Sequence, residues 1–282
     1  MICLITGARR GLGQFLAQRF WQAGYSLALV ARPGAASGSL PSFQERPNQT
    51  VRWLEADLAD PESVSRLIAK ANAEFPALDV LINNAAIHGT IGPSWESDFA
   101  AWRLVLQVNL LTPIELCGGA VEWMGQSGGG AIINLSGGGA TAARPNFSPY
   151  ATSKAGLVRF SETLAEEAKP LGVRVNCVAP GPMKTDMLAE VIDRGPAFSG
   201  QREFDAAQRV FRDGGTPMDR VADLCLFLSS PSAREITGKL ISAVWDPWSD
   251  FLSHLNDLRS TDIYTLRRIV PKDRGKAWGN DP

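Results

Sequence analysis

Residues 2–13 read Ile2-Cys3-Leu4-Ile5-Thr6-Gly7-Ala8-Arg9-Arg10-Gly11-Leu12-Gly13, a short apolar run followed by a glycine-rich turn. Apolar residues then recur at helical spacing from Leu12 to Gln22. In this strand–turn–helix context, glycines let the backbone approach a pyrophosphate closely, and the helix directs its free N–H groups at the phosphates. Glycines also make ordinary tight turns, but their place between a strand and a helix favours a phosphate-binding turn.

Strand and helix signals alternate along the rest of the chain. The predicted strands are Ile2–Thr6, Ser26–Ala31, Val51–Leu54, Asp79–Ile82, Ala131–Leu135, Val173–Val178 and Leu240–Val244. The predicted helices are Leu12–Gln22, one that begins at Pro61, a long one over Phe99–Met124, Tyr150–Ala168 and Val221–Leu228. Because nearly continuous apolar strands alternate with helices, the sequence predicts an α/β fold with a Rossmann-type doubly wound parallel sheet.

This pattern predicts one catalytic domain over residues 1–245, followed by a C-terminal extension over residues 246–282. Residues 33–49 are rich in Pro, Gly and Ser and are predicted to form a loop. Residues 180–215 are predicted to form an irregular, partly helical insertion. Apolar spacing in the extension predicts short amphipathic helices that pack on the domain or a neighbouring subunit, or that cover the substrate pocket.

The composition is that of an ordinary globular protein, with 45% hydrophobic and 20% charged residues. The formal net charge of -1 favours neither a nucleic acid nor an anionic membrane as partner. The four cysteines lie in apolar runs without a CxxC pair, which predicts buried free thiols in a reducing compartment and no metal site. The sequence shows no signal-like segment, and no apolar stretch is predicted to span a bilayer, so we expect a cytoplasmic protein.

The glycine spacing is TGxxxGxG, and with it the sequence resembles the classical branch of the short-chain dehydrogenase/reductase (SDR) family. Asn83-Asn84-Ala85-Ala86 stands where the family has NNAG, and Pro180-Gly181 with Thr185 matches its PG…T segment. The resemblance runs from Ile2 to Val244 and rests on several motifs that together are highly specific. His88 follows the NNAA turn and is predicted to be structural rather than catalytic.

The resemblance implies a nicotinamide dinucleotide cofactor, a small-molecule carbonyl or alcohol substrate, and a homodimer or homotetramer. It also implies that residues 180–215 form a lid that shapes substrate specificity. Asp57 stands where the family contacts adenine, and the PG…T segment stands where it touches the nicotinamide end. The implied cofactor-binding residues are Thr6, Gly7, Arg9, Arg10, Gly11, Leu12, Gly13, Arg32, Asp57, Leu58, Asn84, Ala85, Tyr150, Lys154, Pro180, Gly181 and Thr185.

The end of the second predicted strand faces the adenosine ribose, where an acidic residue would bind the free hydroxyls of NAD. This chain has Arg32 there, and Arg10 directly precedes the second glycine of the turn. Two guanidinium groups near this ribose suit a 2′-phosphate, which arginine can bind in a bidentate manner. Either arginine alone is equally well explained as a solvated surface charge; together they favour NADP(H) over NAD.

Tyr150 and Lys154 lie four residues apart, so a helix places them on one face. A free phenol has a pKa of about 10, and a nearby cation lowers the pKa of the phenol towards neutrality. Tyr150 is therefore the predicted general acid/base, with Lys154 tuning it. By resemblance, Lys154 also binds the nicotinamide ribose. A surface Tyr–Lys pair is the alternative explanation.

Two further catalytic predictions concern Asn109 and Ser136. Pro113 has no N–H, so the carbonyl of Asn109 loses its helical partner and can hold a water, or the helix is simply kinked. The resemblance assigns Asn109 to a proton relay that reaches the lysine. The family's catalytic serine usually occupies the position that is Gly137 here, and Ser136 is the predicted substitute. Thr141 and Ser148 are alternatives.

The sequence therefore predicts an NADP(H)-dependent oxidoreductase that interconverts a carbonyl and an alcohol. The alternative is a cofactor-binding protein with lost or redirected catalysis, used as a sensor or assembly subunit, which the departure at Gly137 keeps open. A sugar-nucleotide epimerase or dehydratase fits less well, because the glycine spacing differs and no substantial substrate domain is present.

Overall fold

The computed structural model describes residues 1–34 and 40–278, so parts of the predicted 33–49 loop and of the C-terminal extension lie outside the described residues. Seven parallel strands form one sheet in the order β3-β2-β1-β4-β5-β6-β7. The strands are β1 (Ile2–Thr6), β2 (Ser26–Ala31), β3 (Val51–Glu55), β4 (Val80–Asn83), β5 (Gly130–Leu135), β6 (Val173–Ala179) and β7 (Leu240–Ser242). This sheet confirms the predicted doubly wound Rossmann-type fold.

Helices cover both faces of the sheet. They are α1 (Gly11–Gln22), α2 (Pro61–Ser65), α3 (Leu67–Glu74), α4 (Phe99–Leu106), α5 (Thr112–Gln126), α6 (Ser148–Ala168), α7 (Asp186–Arg194), α8 (Pro196–Ser199), α9 (Gln201–Asp213), α10 (Met218–Ser229) and α11 (Leu255–Ser260). Successive strand residues contribute to opposite apolar layers: Ile5 belongs to the layer with α1 and α10, and Leu4 to the layer with α3 and α5. The strands read as continuous apolar runs because both of their faces are buried.

The strand order reverses direction between β1 and β4, which pair from Cys3 opposite Val80 to Ile5 opposite Ile82. In open parallel sheets, ligands bind outside the carboxyl ends of the strands at such a switch point. The glycine turn follows β1 and the NNAA segment follows β4, so both motifs meet at this position.

The long helical segment over residues 99–126 contains a π-helical turn at Gln107–Leu111, between α4 and α5. The N–H of Thr112 donates to the carbonyl of Gln107 there, and Pro113 follows with no N–H to donate. The segment is therefore irregular next to Pro113, and the loss of a helical partner by the Asn109 carbonyl stays a prediction.

The expectation that no apolar stretch could span a bilayer needs a correction. Residues 99–126 form one helical segment that is long and apolar enough to do so, with a mean hydropathy of 1.5 and 44% of that window buried. In this fold the apolar side chains of α5 pack in the protein core. Leu116, Cys117 and Ala120 are fully buried in the same apolar layer as Leu4.

The insertion over residues 180–215 is more regular than predicted. It contains α7, α8 and α9, and the glycines Gly195 and Gly200 separate them with φ angles of 73° and 83°. Closely spaced glycines are typical of irregular segments, but here each glycine lies between the end of one helix and the start of the next. The helix predicted to begin at Pro61 is likewise divided, into α2 and α3.

The described part of the C-terminal extension packs on the domain. The N–H of Leu240 in β7 donates to the carbonyl of Tyr264 at 2.8 Å, and Lys239 Nζ donates to the carbonyls of Thr261 and Ile263 at 3.0 and 2.9 Å. Phe251 is 2% exposed and belongs to the same apolar layer as α1 and α10. The extension therefore covers the outer edge of β7 and contributes side chains to the core.

We expect Phe251→Ala to lower the free energy of unfolding by about 3 kcal/mol, because it removes a buried ring and leaves a cavity. Leu252→Ala is the matched control. Because Leu252 is 46% exposed, this change should lower the free energy of unfolding by less than about 1 kcal/mol. Urea unfolding curves of the two variants measure the difference. Equal destabilisation in both variants would show that the extension does not anchor the core.

Candidate active site

The glycine turn is shaped by two left-handed residues and one close backbone approach. Gly7 and Gly11 have φ angles of 66° and 56°, a region that favours glycine. A Cβ built on Gly13 would lie 2.2 Å from the carbonyl oxygen of Gly7 and 2.5 Å from Nδ2 of Asn84. The third glycine of the motif is therefore required for the turn to close on the start of α1.

Thr6, Asn84 and Ala85 hold the two motifs together. The Thr6 hydroxyl accepts hydrogen bonds from the backbone N–H groups of Asn84 and Ala85 at 3.0 and 3.1 Å. The Asn84 amide donates to the Thr6 and Gly7 carbonyls at 2.9 and 3.3 Å. These bonds fix the turn after β1 to the segment after β4, so the two sides of the cleft keep one relative position.

The N-terminus of α1 suits an anionic ligand. Its N-cap residue, Arg10, makes no side-chain cap, and no acidic residue occupies the first turn. The free N–H groups and the positive end of the helix dipole remain uncompensated, which favours a phosphate. The residues present therefore fit the pyrophosphate of a dinucleotide.

The two arginines predicted at the ribose lie on the surface with acidic neighbours. Arg10 forms an ion pair with Asp186 of α7 at 2.7 Å, and both side chains are mostly exposed. Arg32 Nε lies 4.0 Å from the carboxylate of Asp57. Arg32 therefore stands at the end of β2 beside the predicted adenine contact, whereas Arg10 joins the glycine turn to the insertion. Arg9 is exposed.

Three further predicted cofactor residues lie in the loops that follow β3 and β6. The Leu58 carbonyl accepts a hydrogen bond from Thr112 Oγ1 at 2.8 Å, which fixes the loop after β3 to α5. Gly181, after Pro180, has a φ of 78°, and a Cβ there would lie 2.6 Å from Val244. The methyl group of Thr185, the N-cap residue of α7, lies 4.0 Å from the Cβ position of Gly11.

Tyr150 and Lys154 lie on the buried face of α6, as their spacing predicts. Tyr150 is 6% exposed and Lys154 2% exposed. The Lys154 ammonium donates to the carbonyl of Leu135 at 2.7 Å and lies 5.7 Å from the centroid of the Tyr150 ring. A lysine and a phenol thus share a pocket at the carboxyl end of β5.

The ionisation of this pair differs from the expectation. Burial raises the pKa of Tyr150 above its usual value, and the Arg144 guanidinium partly opposes this by lowering it. Burial also lowers the pKa of Lys154 to about 8. The sequence predicted that Lys154 is the cation that lowers the phenol pKa. In the structure the cation that lowers it is Arg144, and the effect of burial is larger.

The structure places Gly137, and not a serine, against the Tyr150 hydroxyl. A Cβ built on Gly137 would lie only 2.2 Å from that hydroxyl oxygen. Ser136 is 3% exposed and its Oγ is buried without a hydrogen-bond partner, so it could satisfy a ligand. Thr141 is exposed and Ser148 begins α6.

Asn109 is fully buried in the π-helical turn. Its Oδ1 accepts from the N–H of Ile87 at 2.9 Å, and its Nδ2 donates to the Ile87 carbonyl at 2.8 Å and to Ser153 Oγ at 3.1 Å. The side chain thus connects the helix to the segment after β4 and to α6. Both N–H groups of the Asn109 amide, and one acceptor position of its Oδ1, are thus used within the protein.

Two further side chains lie beside Tyr150: His88, which the sequence places near the site as a structural or hydrogen-bonding residue, and Arg144, which the sequence analysis missed. The ring of His88 meets the Tyr150 ring edge-on at 5.0 Å between centroids, and its Nδ1 lies 3.4 Å from the Glu190 carboxylate without hydrogen-bond geometry. Arg144 lies over the Phe147 ring, with its Cζ 3.8 Å from the ring centroid. Among residues 1–34 and 40–278, no three His, Cys, Asp or Glu side chains are grouped to hold a metal ion.

The family model described as enoyl-(acyl carrier protein) reductase matches residues 7–243 of the chain. The chain belongs to the short-chain dehydrogenase/reductase family. It is similar to cis-4-hydroxycyclohexanecarboxylate dehydrogenase of Sinomonas cyclohexanicum, with 31% identity over 242 residues, or 86% of this chain and 94% of the relative. The family assignment makes it an NAD(P)-dependent oxidoreductase that acts on CH–OH or C=O groups.

Two solved SDR-like structures share this fold. A blue fluorescent protein from a metagenomic library, in complex with NADPH, has 26% identity and a TM-score of 0.70, covering 86% of this chain and 95% of that one. An SDR-family oxidoreductase from Brucella ovis, with a partially ordered NAD, has 27% identity and a TM-score of 0.66, covering 86% of this chain and 98% of that one. One relative of each cofactor type therefore resembles this SDR chain equally well.

Proposed function

We propose that this SDR chain interconverts a carbonyl and an alcohol with NADP(H), using Tyr150 as the proton-transfer group. The observation that carries the proposal is the buried Tyr150–Lys154 pair on α6, which lies at the carboxyl end of β5 and next to His88 of the segment after β4. Ser136, with its unpartnered buried hydroxyl, is the proposed substrate contact, and the Asn109 carbonyl the proposed relay contact.

The chain's residues divide the work as follows. The glycine turn and the N-terminus of α1 bind the pyrophosphate, and the Pro180–Thr185 segment approaches the nicotinamide end. The bound nicotinamide would supply or accept a hydride. Tyr150 donates a proton to the substrate oxygen during reduction and removes one during oxidation. Lys154, held by the carbonyl of Leu135, stands one helical turn away and would orient the ribose.

Turnover of NADPH with a panel of ketones and aldehydes tests this function. Consumption of NADPH that depends on both the enzyme and one carbonyl supports the proposal. The second candidate is a cofactor-binding protein without this chemistry, and Gly137 at the Tyr150 hydroxyl is the observation that favours it. NADPH binding without turnover of any carbonyl, and without alcohol oxidation by NADP, would support that candidate.

The choice of NADP(H) over NAD(H) rests on Arg32. Its side chain is 76% exposed at the end of β2, and its Nε lies 4.0 Å from the Asp57 carboxylate, so the guanidinium is accessible to a 2′-phosphate. We expect Arg32→Ala to weaken NADPH binding about tenfold, the usual cost of losing a charge-assisted hydrogen bond, and to leave NADH binding unchanged. Isothermal titration calorimetry with both cofactors measures this.

The matched control for Arg32→Ala is Arg52→Ala. Arg52 is a similarly exposed arginine on β3 that pairs with Glu74 at 3.1 Å. Its removal should affect neither cofactor. If Arg32→Ala weakens the binding of NADPH and of NADH equally, Arg32 does not bind the 2′-phosphate, and the proposed preference for NADP(H) is wrong.

We further infer a cytoplasmic homodimer or homotetramer that acts on a small molecule. The large apolar residues Phe99, Leu104 and Leu111 are 65%, 44% and 50% exposed along the helical segment that holds Asn109. Exposed apolar side chains of this kind favour a subunit interface over free surface. Light scattering of the purified protein gives the number of subunits.

A further inference from the structure

Arg144 lies in the loop between β5 and α6 and directs its guanidinium towards the proton-transfer site. Its Cζ lies 3.8 Å from the Phe147 ring centroid and 5.7 Å from the Tyr150 ring centroid. The Arg144 side chain is only 15% exposed. At this distance and burial, a fixed positive charge acts on the phenol with little solvent screening.

The glycine-rich loop after β5 is shaped around this arginine. A Cβ on Gly138 would lie 3.7 Å from Arg144 Cδ, and one on Gly139 would lie 3.3 Å from Arg144 Cβ. Gly139 has a φ of 94°, and a Cβ there would also lie 2.6 Å from Ala151. Gly137 leaves the adjoining space to the Tyr150 hydroxyl. The same loop thus admits both the phenol and the guanidinium.

Glu203 of α9 holds the guanidinium in place. Arg144 Nε donates to Glu203 Oε2 at 2.9 Å, and Arg144 Nη2 lies 2.8 Å from the same oxygen. The Glu203 side chain is 30% exposed. The ion pair therefore joins the insertion to the wall of the pocket and fixes the side chain beside Tyr150.

Among the described residues, the other titratable side chains around Tyr150 are Lys154 on α6 and His88 after β4, with the Glu190 carboxylate of α7 3.4 Å from the histidine Nδ1. Burial lowers the pKa of Lys154 to about 8, so its positive charge is lost above that pH. An arginine stays charged at every pH that a folded protein meets. Arg144 is thus the cation that persists beside the phenol at alkaline pH.

We propose that Arg144 is a positioning residue of the proton-transfer site: its guanidinium, fixed by Glu203 and Phe147, favours the ionised form of Tyr150. The inference rests on the proposed function only in taking Tyr150 as the proton-transfer group. Arg144 would offset part of the cost that burial imposes on the ionised phenol, in a site where Gly137 lies against the Tyr150 hydroxyl.

The chain has three tyrosines, Tyr25, Tyr150 and Tyr264, so each can be followed separately. Uniform incorporation of a ring-fluorinated tyrosine gives fluorine NMR resonances that titrate at accessible pH, and Tyr150→Phe assigns the one of interest. We expect Arg144→Gln to raise the pKa of the Tyr150 phenol by about one unit, because a stabilising positive charge is removed. Arg144→Lys should recover most of this difference.

Glu203→Gln separates an electrostatic role from a purely structural one. It breaks the same ion pair but leaves the cation without its neutralising carboxylate, so we expect the pKa of Tyr150 to fall by about half a unit. The resonances of Tyr25 and Tyr264 report whether each variant keeps its fold. If Arg144→Gln does not fold, Glu203→Gln decides alone: a fall supports the inference, and an unchanged or raised pKa overturns it.

An unchanged Tyr150 pKa in folded Arg144→Gln, or an equal rise in both variants, would likewise overturn the inference. These titrations need neither substrate nor turnover. If the protein turns over no carbonyl of the panel but the Tyr150 pKa shifts in opposite directions in the two variants, the proposed function is wrong and the effect of Arg144 on Tyr150 stands. If the protein turns over a carbonyl but the Tyr150 pKa is unchanged in both variants, the proposed function stands and the effect of Arg144 is wrong.

Discussion

Tyr150→Phe is expected to lower kcat for carbonyl reduction about a thousandfold, the usual contribution of a positioned general acid. The substitution removes one hydroxyl and keeps the ring, which is 6% exposed and packs against His88. The fold and the affinity for NADPH should therefore persist. Steady-state kinetics on the best carbonyl of the panel, with NADPH binding measured in parallel, give both quantities.

Tyr25→Phe is the matched control for this change. Tyr25 is 5% exposed and packs beside Phe20 near the start of β2, so the same hydroxyl is removed from a buried ring far from the cleft. Its kcat should stay within about twofold, since the change leaves the proton-transfer site untouched. If Tyr150→Phe retained full turnover, another group would carry the proton, and the candidate catalytic role would be wrong.

The fold could be predicted from the sequence because its strongest signals are local. The buried strands are apolar on both faces, and Pro61 and Gly24 mark a helix start and stop. The helices of the insertion were harder to predict, because the closely spaced glycines at 195 and 200 interrupt the helical pattern. Residues in the extension form backbone hydrogen bonds with β7, such as the one from the Leu240 N–H to the Tyr264 carbonyl. The periodicity of apolar residues does not predict such contacts.

The sequence could predict that Tyr150 and Lys154 share a helix face, but not the electrostatics around them. The YxxxK spacing placed Tyr150 and Lys154 on one face, and both are buried there. Whether a phenol becomes more or less acidic depends on desolvation and on every nearby charge, including charges distant in sequence. Arg144 comes from the preceding loop, and its partner Glu203 comes from the insertion, so no short motif connects them.

Gly13→Ala is expected to weaken NADPH binding about a hundredfold and to lower the free energy of unfolding by about 2 kcal/mol. The added Cβ would lie 2.2 Å from the Gly7 carbonyl oxygen and 2.5 Å from Asn84 Nδ2. The first of these is backbone, which cannot rotate away as a side chain could. The turn must therefore open at the point where the pyrophosphate would meet the N-terminus of α1.

Gly118→Ala is the matched control, because a Cβ on Gly118 of α5 would meet nothing within 4 Å. There alanine should be neutral or slightly stabilising, since it is the better helix former. Calorimetric titration with NADPH and urea unfolding, run on both variants, separate a local effect on the turn from a general effect of losing a glycine. Unimpaired NADPH binding by Gly13→Ala would mean that the cofactor does not use this turn, and the dinucleotide site would have to be placed elsewhere on the sheet.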